Sequence, residues 1–309
     1  MSQFSMYLKR RLFVTLFLVS AACQVQAGGC LSAKEIYEPG YPVLLISGGF
    51  CHDQDLRGIG NAIRLGSHDE VWLDSPGGSV GKGFELGRLL RLNGQFVRVA
   101  SGRNVLKGRD RYCVSSCTIA FLGGILRDVD EDADFRVHIY SAHSMLKDDE
   151  GNKLATLRFW EQFQEEKDRA GTLRSIAKQG NQRSFNSAKK IVLYAYEMFN
   201  GRSNVRALVN GIHAAEPYPS MRDLSVDLAD ISEDGLVAFQ RILMEIERQA
   251  AQHLHDSLQR RLHGGDVRLK AAVRYLDRML SSRIDGTARL SRQQLRQLGY
   301  INVVSELRH

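Results

Sequence analysis

Several signatures that identify common classes of protein are missing from this chain of 309 residues. It contains no internal repeat and no low-complexity tract, which excludes solenoid and other repeat architectures. A glycine-rich nucleotide-binding loop is also missing, so any step driven by ATP would need another chain. Its 5 prolines and 43% hydrophobic residues instead favour a substantial folded core.

A strong excess of charge is missing as well, since the net charge is only +7. Basic residues stand beside acidic ones on predicted helices, as at Arg241 and Glu245 or Glu247 and Arg248, which is the pattern of a solvated surface. Aromatic residues are not interleaved with the basic ones. We therefore expect no nucleic-acid partner.

The apolar segment near the N-terminus, residues 12–22, is too short to span a bilayer, which needs roughly 20 apolar residues. The basic residues 9–11 precede it, and small residues up to Ala27 follow it. This pattern predicts a signal peptide over residues 1–27 that is cleaved after Ala27. A lipoprotein signal at Cys23 is the less favoured alternative. We expect a periplasmic or secreted protein with no stable membrane span.

Cleavage after Ala27 would leave four cysteines, Cys30, Cys51, Cys113 and Cys117. An even number of cysteines in an oxidising compartment favours disulfide bonds. Four cysteines allow three pairings, and the economical one joins Cys30 to Cys51 and Cys113 to Cys117, because each bond would brace a local structure. A zinc site at Cys113 and Cys117 is less favoured, since no second cysteine pair or Cys/His cluster lies nearby. We expect no metal and no cofactor.

Apolar patterning predicts an alternation of strands and helices in the first half of the chain. After an irregular segment over residues 28–42, the predicted strands are 43–47, 70–74, 96–100 and 135–139, and the predicted helices are 56–65, 80–93 and 117–124. Such alternation favours an α/β fold in which right-handed crossovers join parallel strands. Ligands of these sheets gather at the carboxyl ends of the strands.

The second half of the chain is predicted to be helical. Helices over 154–178 and 187–199 are separated by a polar break at 180–183, and further helices cover 236–262 and 267–280. The apolar stripe of the third of these helices is typical of a core or subunit contact.

A glycine turn is the first of three elements that indicate chemistry. The sequence DSPGGS at 74–79 joins a predicted strand to a predicted helix. Gly77 and Gly78 tolerate unusual dihedral angles and have no side chain in the way, so their N–H groups can turn outward. Preorganised N–H donors of this kind stabilise an oxyanion.

A serine turn and a histidine complete the pattern. The sequence CVSSC at 113–117 precedes a predicted helix, and His138 lies near the end of a predicted strand. Serines at a helix start are also common as helix caps. An oxyanion turn, a serine and a histidine in this order nevertheless favour acyl-transfer chemistry.

These motifs resemble the Clp protease/crotonase superfamily, and within it the secreted bacterial Clp-protease-like proteins. The resemblance covers residues 43–140 well and 190–237 faintly. It implies an α/β fold in which a Clp protease/crotonase-like spiral of ββα units occupies residues 28–237, with additional C-terminal helices over 238–309. Relatives in this superfamily assemble into trimers or stacked rings, so the resemblance also implies a homo-oligomer.

The resemblance assigns roles to individual residues. Ser115, between the two cysteines, would be the nucleophile, with Ser116 as the alternative because the doubled serine leaves the alignment open by one position. His138 would be the general base. The N–H of Gly77 or Gly78, with the N–H that follows the nucleophile, would form the oxyanion hole.

The acid of the triad has two candidates. Asp223 is preferred because the sequence MRDLS at 221–225 resembles the acid segment of the family, and Asp285 is second. Both lie further from His138 than the family spacing, so a serine–histidine dyad is a further option. The resemblance implies a secreted serine peptidase that hydrolyses a peptide or protein substrate. The alternative is a non-catalytic peptide-binding or scaffold protein with the same fold.

Overall fold

The computed structural model describes residues 29–37, 40–101, 111–138, 165, 169–200, 208–209, 235–261, 266–280 and 288–303. Its strands are β1 (Ser32–Ile36), β2 (Val43–Ser47), β3 (Glu70–Asp74), β4 (Phe96–Val99), β5 (Tyr112–Val114), β6 (Leu126–Val129), β7 (Asp134–Val137) and β8 (Ala288–Arg289). Its helices are α1 (Arg57–Leu65), α2 (Val80–Leu92), α3 (Ser116–Phe121), α4 (Arg169–Met198), α5 (Gly235–Arg261), α6 (Val267–Leu280) and α7 (Arg292–Gln297).

The larger sheet contains five strands in the spatial order β1-β2-β3-β4-β6. The strands β2, β3, β4 and β6 run parallel, and β1 pairs with β2 in the antiparallel direction. Helices connect β2 to β3 and β3 to β4, as the alternating apolar pattern predicts. The fold is therefore a mixed α/β fold, and the predicted α/β class is confirmed.

The two faces of this sheet bury different residues. On β3, Val71 and Leu73 belong to the main hydrophobic cluster together with residues of α1 and α2. The intervening Trp72 instead packs with Val43 and Ala100 on the opposite face. Alternate residues of a strand point to opposite faces, so both faces of β3 are covered. A buried strand of this kind is nearly continuously apolar in sequence.

The smaller sheet has the order β5-β7-β8 and includes a strand from the C-terminal part of the chain. The strand β5 runs parallel to β7, and β8 pairs with β7 in the antiparallel direction. Tyr300 is buried next to Phe135 of β7, with 5.8 Å between the ring centroids. The main hydrophobic cluster thus includes residues on both sides of the domain boundary expected at residues 237 and 238. The position of that boundary stays a prediction.

Arg127 of β6 also ties the C-terminal segment to the core. Its guanidinium donates hydrogen bonds to the carbonyl oxygens of Tyr300 (2.7 Å), Gly299 (3.1 Å), Gly124 (2.8 Å) and Leu122 (3.3 Å). Burial, reinforced by a neighbouring arginine, lowers the pKa of Arg127 to about 10. A buried cation bound mainly to carbonyl groups keeps these two segments together.

The helices α4, α5 and α6 pack against one another, and α4 also reaches the core. The hydroxyl of Tyr194 in α4 packs directly against Gly87 of α2. A Cβ on Gly87 would overlap this hydroxyl, so the close contact requires glycine. Among the described helices, none combines the length and apolar character that a membrane span requires.

Two local predictions are wrong, and not every strand was predicted. The segment expected to be irregular over 28–42 contains the edge strand β1, and β6 was not predicted at all. The polar break expected at 180–183 lies within the continuous helix α4. Packing overrides local propensity there, because Ser184 and Phe185 directly after the expected break are fully buried.

Candidate active site

The glycine turn follows the carboxyl end of β3 and leads into α2. Gly77 and Gly78 have φ angles of 94° and 136°, which side chains disfavour. Phe50 holds the turn, because its N–H donates to the Gly77 carbonyl (2.9 Å) and its carbonyl accepts from the Ser79 N–H (2.8 Å). A Cβ on Gly78 would lie 2.5 Å from the Phe50 oxygen, so glycine is required by space as well as by conformation.

The two glycine N–H groups are used differently. The Gly77 N–H donates to Ser75 Oγ at 3.1 Å, and that hydroxyl in turn donates to the Gly48 carbonyl at 2.6 Å. For the Gly78 N–H, no acceptor is found among the residues that the structure describes. Gly78 is therefore the member of the pair whose N–H is open to an incoming oxygen atom.

Ser115 forms a sharp turn between β5 and α3. Its φ is 59° and its ψ is −126°, and positive φ is found at only one other non-glycine residue of the described chain, Asn200. Such a conformation costs on the order of 1–3 kcal/mol and is concentrated at functional sites. A strained strand-to-helix turn of this kind also exposes the nucleophilic serine of many hydrolases. The sequence pattern gave no indication of this strain.

The hydroxyl of Ser115 does not cap helix α3. Ser115 occupies the N-cap position of α3 but makes no side-chain capping hydrogen bond. By contrast, Ser79 at the start of α2 accepts a hydrogen bond from the Lys82 N–H at 3.5 Å. The interpretation of the serine as an ordinary helix cap therefore fits Ser79 and not Ser115.

A disulfide bond encloses the serine turn. Cys113 and Cys117 are bonded, with 5.2 Å between their Cα atoms, and both are fully buried. The second disulfide joins Cys30 and Cys51. Both bonds are those of the economical pairing, so that prediction is confirmed. Two disulfides fit a protein of an oxidising compartment.

The serine turn and the glycine turn are in direct contact. The Val114 N–H donates to the Ser75 carbonyl at 3.1 Å, which aligns β5 with the segment after β3. A Cβ on Gly77 would lie 2.5 Å from the Ser115 Cβ and 3.1 Å from its Oγ. The absence of a side chain at Gly77 is what lets Ser115 lie against the turn.

The two adjacent serines differ in accessibility. Ser115 is half-buried, whereas Ser116 is fully buried and its Oγ has no hydrogen-bond partner among the described residues. Ser116 packs on α2, where a Cβ on Gly83 would lie 2.7 Å from the Ser116 carbonyl oxygen. Of the two serines, only Ser115 is accessible from solvent. The four-residue spacing of Gly83 and Gly87 is the signal in the sequence that could have revealed this close helix packing.

His138 directly follows β7, which is the parallel neighbour of β5. Val114 is paired with Arg136 in this sheet, and the Ser115 N–H donates to the Arg136 carbonyl at 3.2 Å. His138 comes two residues later and is partly exposed. Ser115 and His138 therefore lie at the carboxyl ends of adjacent parallel strands, the edge where ligands of such sheets bind.

The acid candidates Asp223 and Asp285 both lie outside the described residues. Asp74 is described and buried, and it forms an ion pair with Arg111 at 3.3 Å. Within the described ranges, no group of three His, Cys, Asp or Glu side chains could hold a metal ion.

No protein-family model matches this chain, and no curated protein matches it either. The features that bear on function are the serine turn, the glycine turn and the strand that precedes His138.

Proposed function

We propose that this protein is a secreted Clp-like serine peptidase in which Ser115 is the nucleophile and His138 is the general base. The observation that carries the proposal is the strained, uncapped turn at Ser115, enclosed by a disulfide and lying against Gly77. Backbone strain of this kind persists only where the surrounding structure enforces it, which is typical of catalytic turns.

The reaction would begin with attack of Ser115 Oγ on the carbonyl carbon of a peptide bond. His138 would accept the hydroxyl proton and return it to the amine that leaves, which produces an acyl-enzyme. Water would then hydrolyse the ester, with His138 again transferring the proton. Either Asp223 or Asp285 would orient His138, or the site would operate as a serine–histidine dyad.

The oxyanion of each tetrahedral intermediate would be bound by two backbone N–H groups. Gly78 would supply one, because the Gly77 N–H is already bonded to Ser75. Ser116 would supply the other, since its N–H directly follows the nucleophile and is the first of helix α3. Removal of one such donor typically reduces the rate by roughly 10²–10³.

The wider features of the proposal come from the resemblance in sequence. They are the ββα spiral and assembly into a homo-oligomer. The signal peptide over residues 1–27 is predicted from the basic, apolar and small residues of that segment. The two disulfides support the oxidising compartment that secretion would provide.

Labelling with a fluorophosphonate probe tests the proposal directly. The oxidised protein is treated with the probe and analysed by intact and peptide mass spectrometry, beside Ser115→Ala, Ser116→Ala and His138→Ala. We expect label on Ser115, loss of label in Ser115→Ala and strong reduction in His138→Ala.

Ser116→Ala is the matched control, because it removes a neighbouring hydroxyl that is buried. It should retain labelling. Folded wild-type protein that takes up no label would overturn the proposal and favour the non-catalytic peptide-binding alternative.

A further inference from the structure

Thr118 holds the carbonyl group of Ser115 from within helix α3. Its hydroxyl donates to the Ser115 carbonyl oxygen at 2.7 Å, and its N–H donates to the same oxygen at 3.0 Å. Thr118 is almost fully buried, so water does not compete for these bonds. The carbonyl of the strained residue is thus fixed by two donors from one residue.

Tyr275 of helix α6 extends this contact into the C-terminal part of the chain. Its hydroxyl lies 3.2 Å from Thr118 Oγ1, and the side chain is fully buried. A carbonyl oxygen only accepts hydrogen bonds, so the single Thr118 hydroxyl proton is committed to Ser115. Tyr275 must therefore be the donor to Thr118. The resulting chain runs from Tyr275 through Thr118 to the Ser115 carbonyl, and bonds in such chains polarise one another.

The direction of the Ser115 carbonyl fixes the direction of the next N–H group. The peptide that joins Ser115 to Ser116 is planar, with its C=O and N–H pointing in opposite directions. Any group that holds the Ser115 oxygen therefore also aims the Ser116 N–H.

We infer that Thr118 and Tyr275 are positioning residues that aim the Ser116 N–H at the oxyanion of the reaction. The inference rests on the proposed function, and it makes the C-terminal helix α6 part of the machinery of the Ser115 turn. Neither side chain is assigned contact with the substrate, so both act through the peptide between Ser115 and Ser116.

Tyr300 provides a matched control within the same aromatic cluster. Its ring centroid lies 5.3 Å from that of Tyr275, and it is buried to a similar extent. Its hydroxyl has no hydrogen-bond partner among the described residues. Tyr300→Phe therefore removes a buried tyrosine hydroxyl without touching the chain of hydrogen bonds to Ser115.

The experiment measures the rate constant of fluorophosphonate labelling for wild type, Thr118→Val, Thr118→Ser, Tyr275→Phe and Tyr300→Phe. We expect Thr118→Val to lower the rate about tenfold or more and Tyr275→Phe to lower it severalfold. Both effects should be smaller than the loss of a whole oxyanion donor, because the Ser116 N–H is still present but less well aimed. Thr118→Ser retains the hydroxyl and should stay near the wild-type rate, as should Tyr300→Phe. Equal rates in Tyr275→Phe and wild type would overturn the role of Tyr275.

The amide resonance of Ser116, followed by NMR in the same variants, is independent of activity. We expect its chemical shift and its exchange rate to change in Thr118→Val and Tyr275→Phe but not in Tyr300→Phe. If wild type is not labelled but these shifts occur, the proposed function fails while the orientation of the Ser116 amide is upheld. If wild type is labelled but the amide is the same in all variants, the inference itself fails.

Discussion

The glycine turn and the serine turn reach left-handed backbone conformations by different means. Gly77 and Gly78 adopt positive φ at little cost because they have no side chain. Ser115 adopts positive φ against its preference, and a disulfide, a strand pairing and the bonds from Thr118 surround it. Glycine residues specify the glycine turn, whereas contacts with other parts of the fold specify the serine turn. The strained turn is therefore the one that a local sequence pattern cannot reveal.

A side chain in the glycine turn should have the largest effect on the contact between the two turns. In Gly77→Ala the new Cβ would lie 2.5 Å from the Ser115 Cβ and 2.6 Å from the Val114 oxygen. One of the two turns must then move, so we expect fluorophosphonate labelling to fall about 100-fold or more, as when an oxyanion donor is lost. Thermal unfolding should show destabilisation in the same variant.

Gly81→Ala is the control for this change. It lies in α2 just beyond the turn, and the nearest atom to its new Cβ would be Ser79 Oγ at 3.7 Å. We expect unchanged labelling and equal or slightly higher stability, because alanine favours helices. Wild-type labelling in Gly77→Ala would contradict the required contact between the turns.

Removal of the disulfide around Ser115 tests how far the serine turn depends on external constraint. In the double variant Cys113→Ser, Cys117→Ser the loop closed by the bond is short, so we expect a loss of about 2 kcal/mol in the free energy of unfolding. The labelling rate of the remaining folded protein should fall severalfold, since the strained turn can relax.

The variant Cys30→Ser, Cys51→Ser is the comparison. That bond closes a longer loop and lies beside Phe50 rather than Ser115. Its loss should cost more stability, about 3 kcal/mol, but leave the labelling rate of folded protein nearly unchanged. Equal effects of both double variants on labelling would show that the disulfide at Ser115 has no special role.

Relief of the strain at Ser115 should stabilise the protein while it abolishes the reaction. Ser115→Gly removes the cost of positive φ, partly offset by the greater freedom of glycine in the unfolded chain, so we expect a gain of about 1 kcal/mol. Denaturant unfolding measures the difference. Ser115→Ala keeps a Cβ and should show no such gain, and a gain of the same size in Ser115→Ala would contradict the strain.

The start of helix α6 is stabilised by the charge and hydrogen bonds of Asp266, without backbone strain. It precedes α6 and accepts hydrogen bonds from the Tyr196 hydroxyl (2.7 Å) and the Arg268 N–H (2.8 Å). These bonds, led by that of Tyr196, lower the pKa of Asp266 in the folded state. The ionised carboxylate therefore contributes its full stabilisation at a pH above the pKa that Asp266 has in the unfolded chain. This stabilisation is lost as the pH falls through the lower pKa that Asp266 has in the folded protein.

We expect Asp266→Asn to be less stable than wild type by at most about 1 kcal/mol near neutral pH, the usual size of a helix-cap effect. The difference in melting temperature between the two proteins should shrink as the pH falls below 4. The labelling rate should not change. A difference that stays constant down to pH 2 would contradict the contribution of the ionised carboxylate.

Much of the fold could be predicted because its elements bury regular apolar patterns. The strand β3, the helix α2 and the helix α6 lie within one residue of their predicted bounds. The strand β1 was missed because it is an edge strand with largely exposed polar residues. The strand β6 was missed because it buries Arg127 and Asp128, and several of their partners lie far along the chain, between residues 292 and 302.

The candidate site could be predicted only as a set of segments. Residue types indicated the glycine turn, the pair of serines and His138. They could not separate Ser115 from Ser116, because the burial of Ser116 depends on the glycine face of α2. The hydrogen bond between Tyr275 and Thr118 could not be predicted either, because it joins residues 157 positions apart.

The four carbonyl partners of Arg127 limit when this part of the fold can form during synthesis of the chain. Two of them, Leu122 and Gly124, follow helix α3, whereas the other two, Gly299 and Tyr300, are synthesised 172 and 173 residues after Arg127. A growing chain that has not yet reached residue 299 must keep this guanidinium in water or leave two of its four hydrogen bonds to carbonyl groups unformed. The segment that follows helix α3 therefore gains these contacts only after residues 299 and 300 have been synthesised, and a chain cut short before residue 299 would lack them permanently.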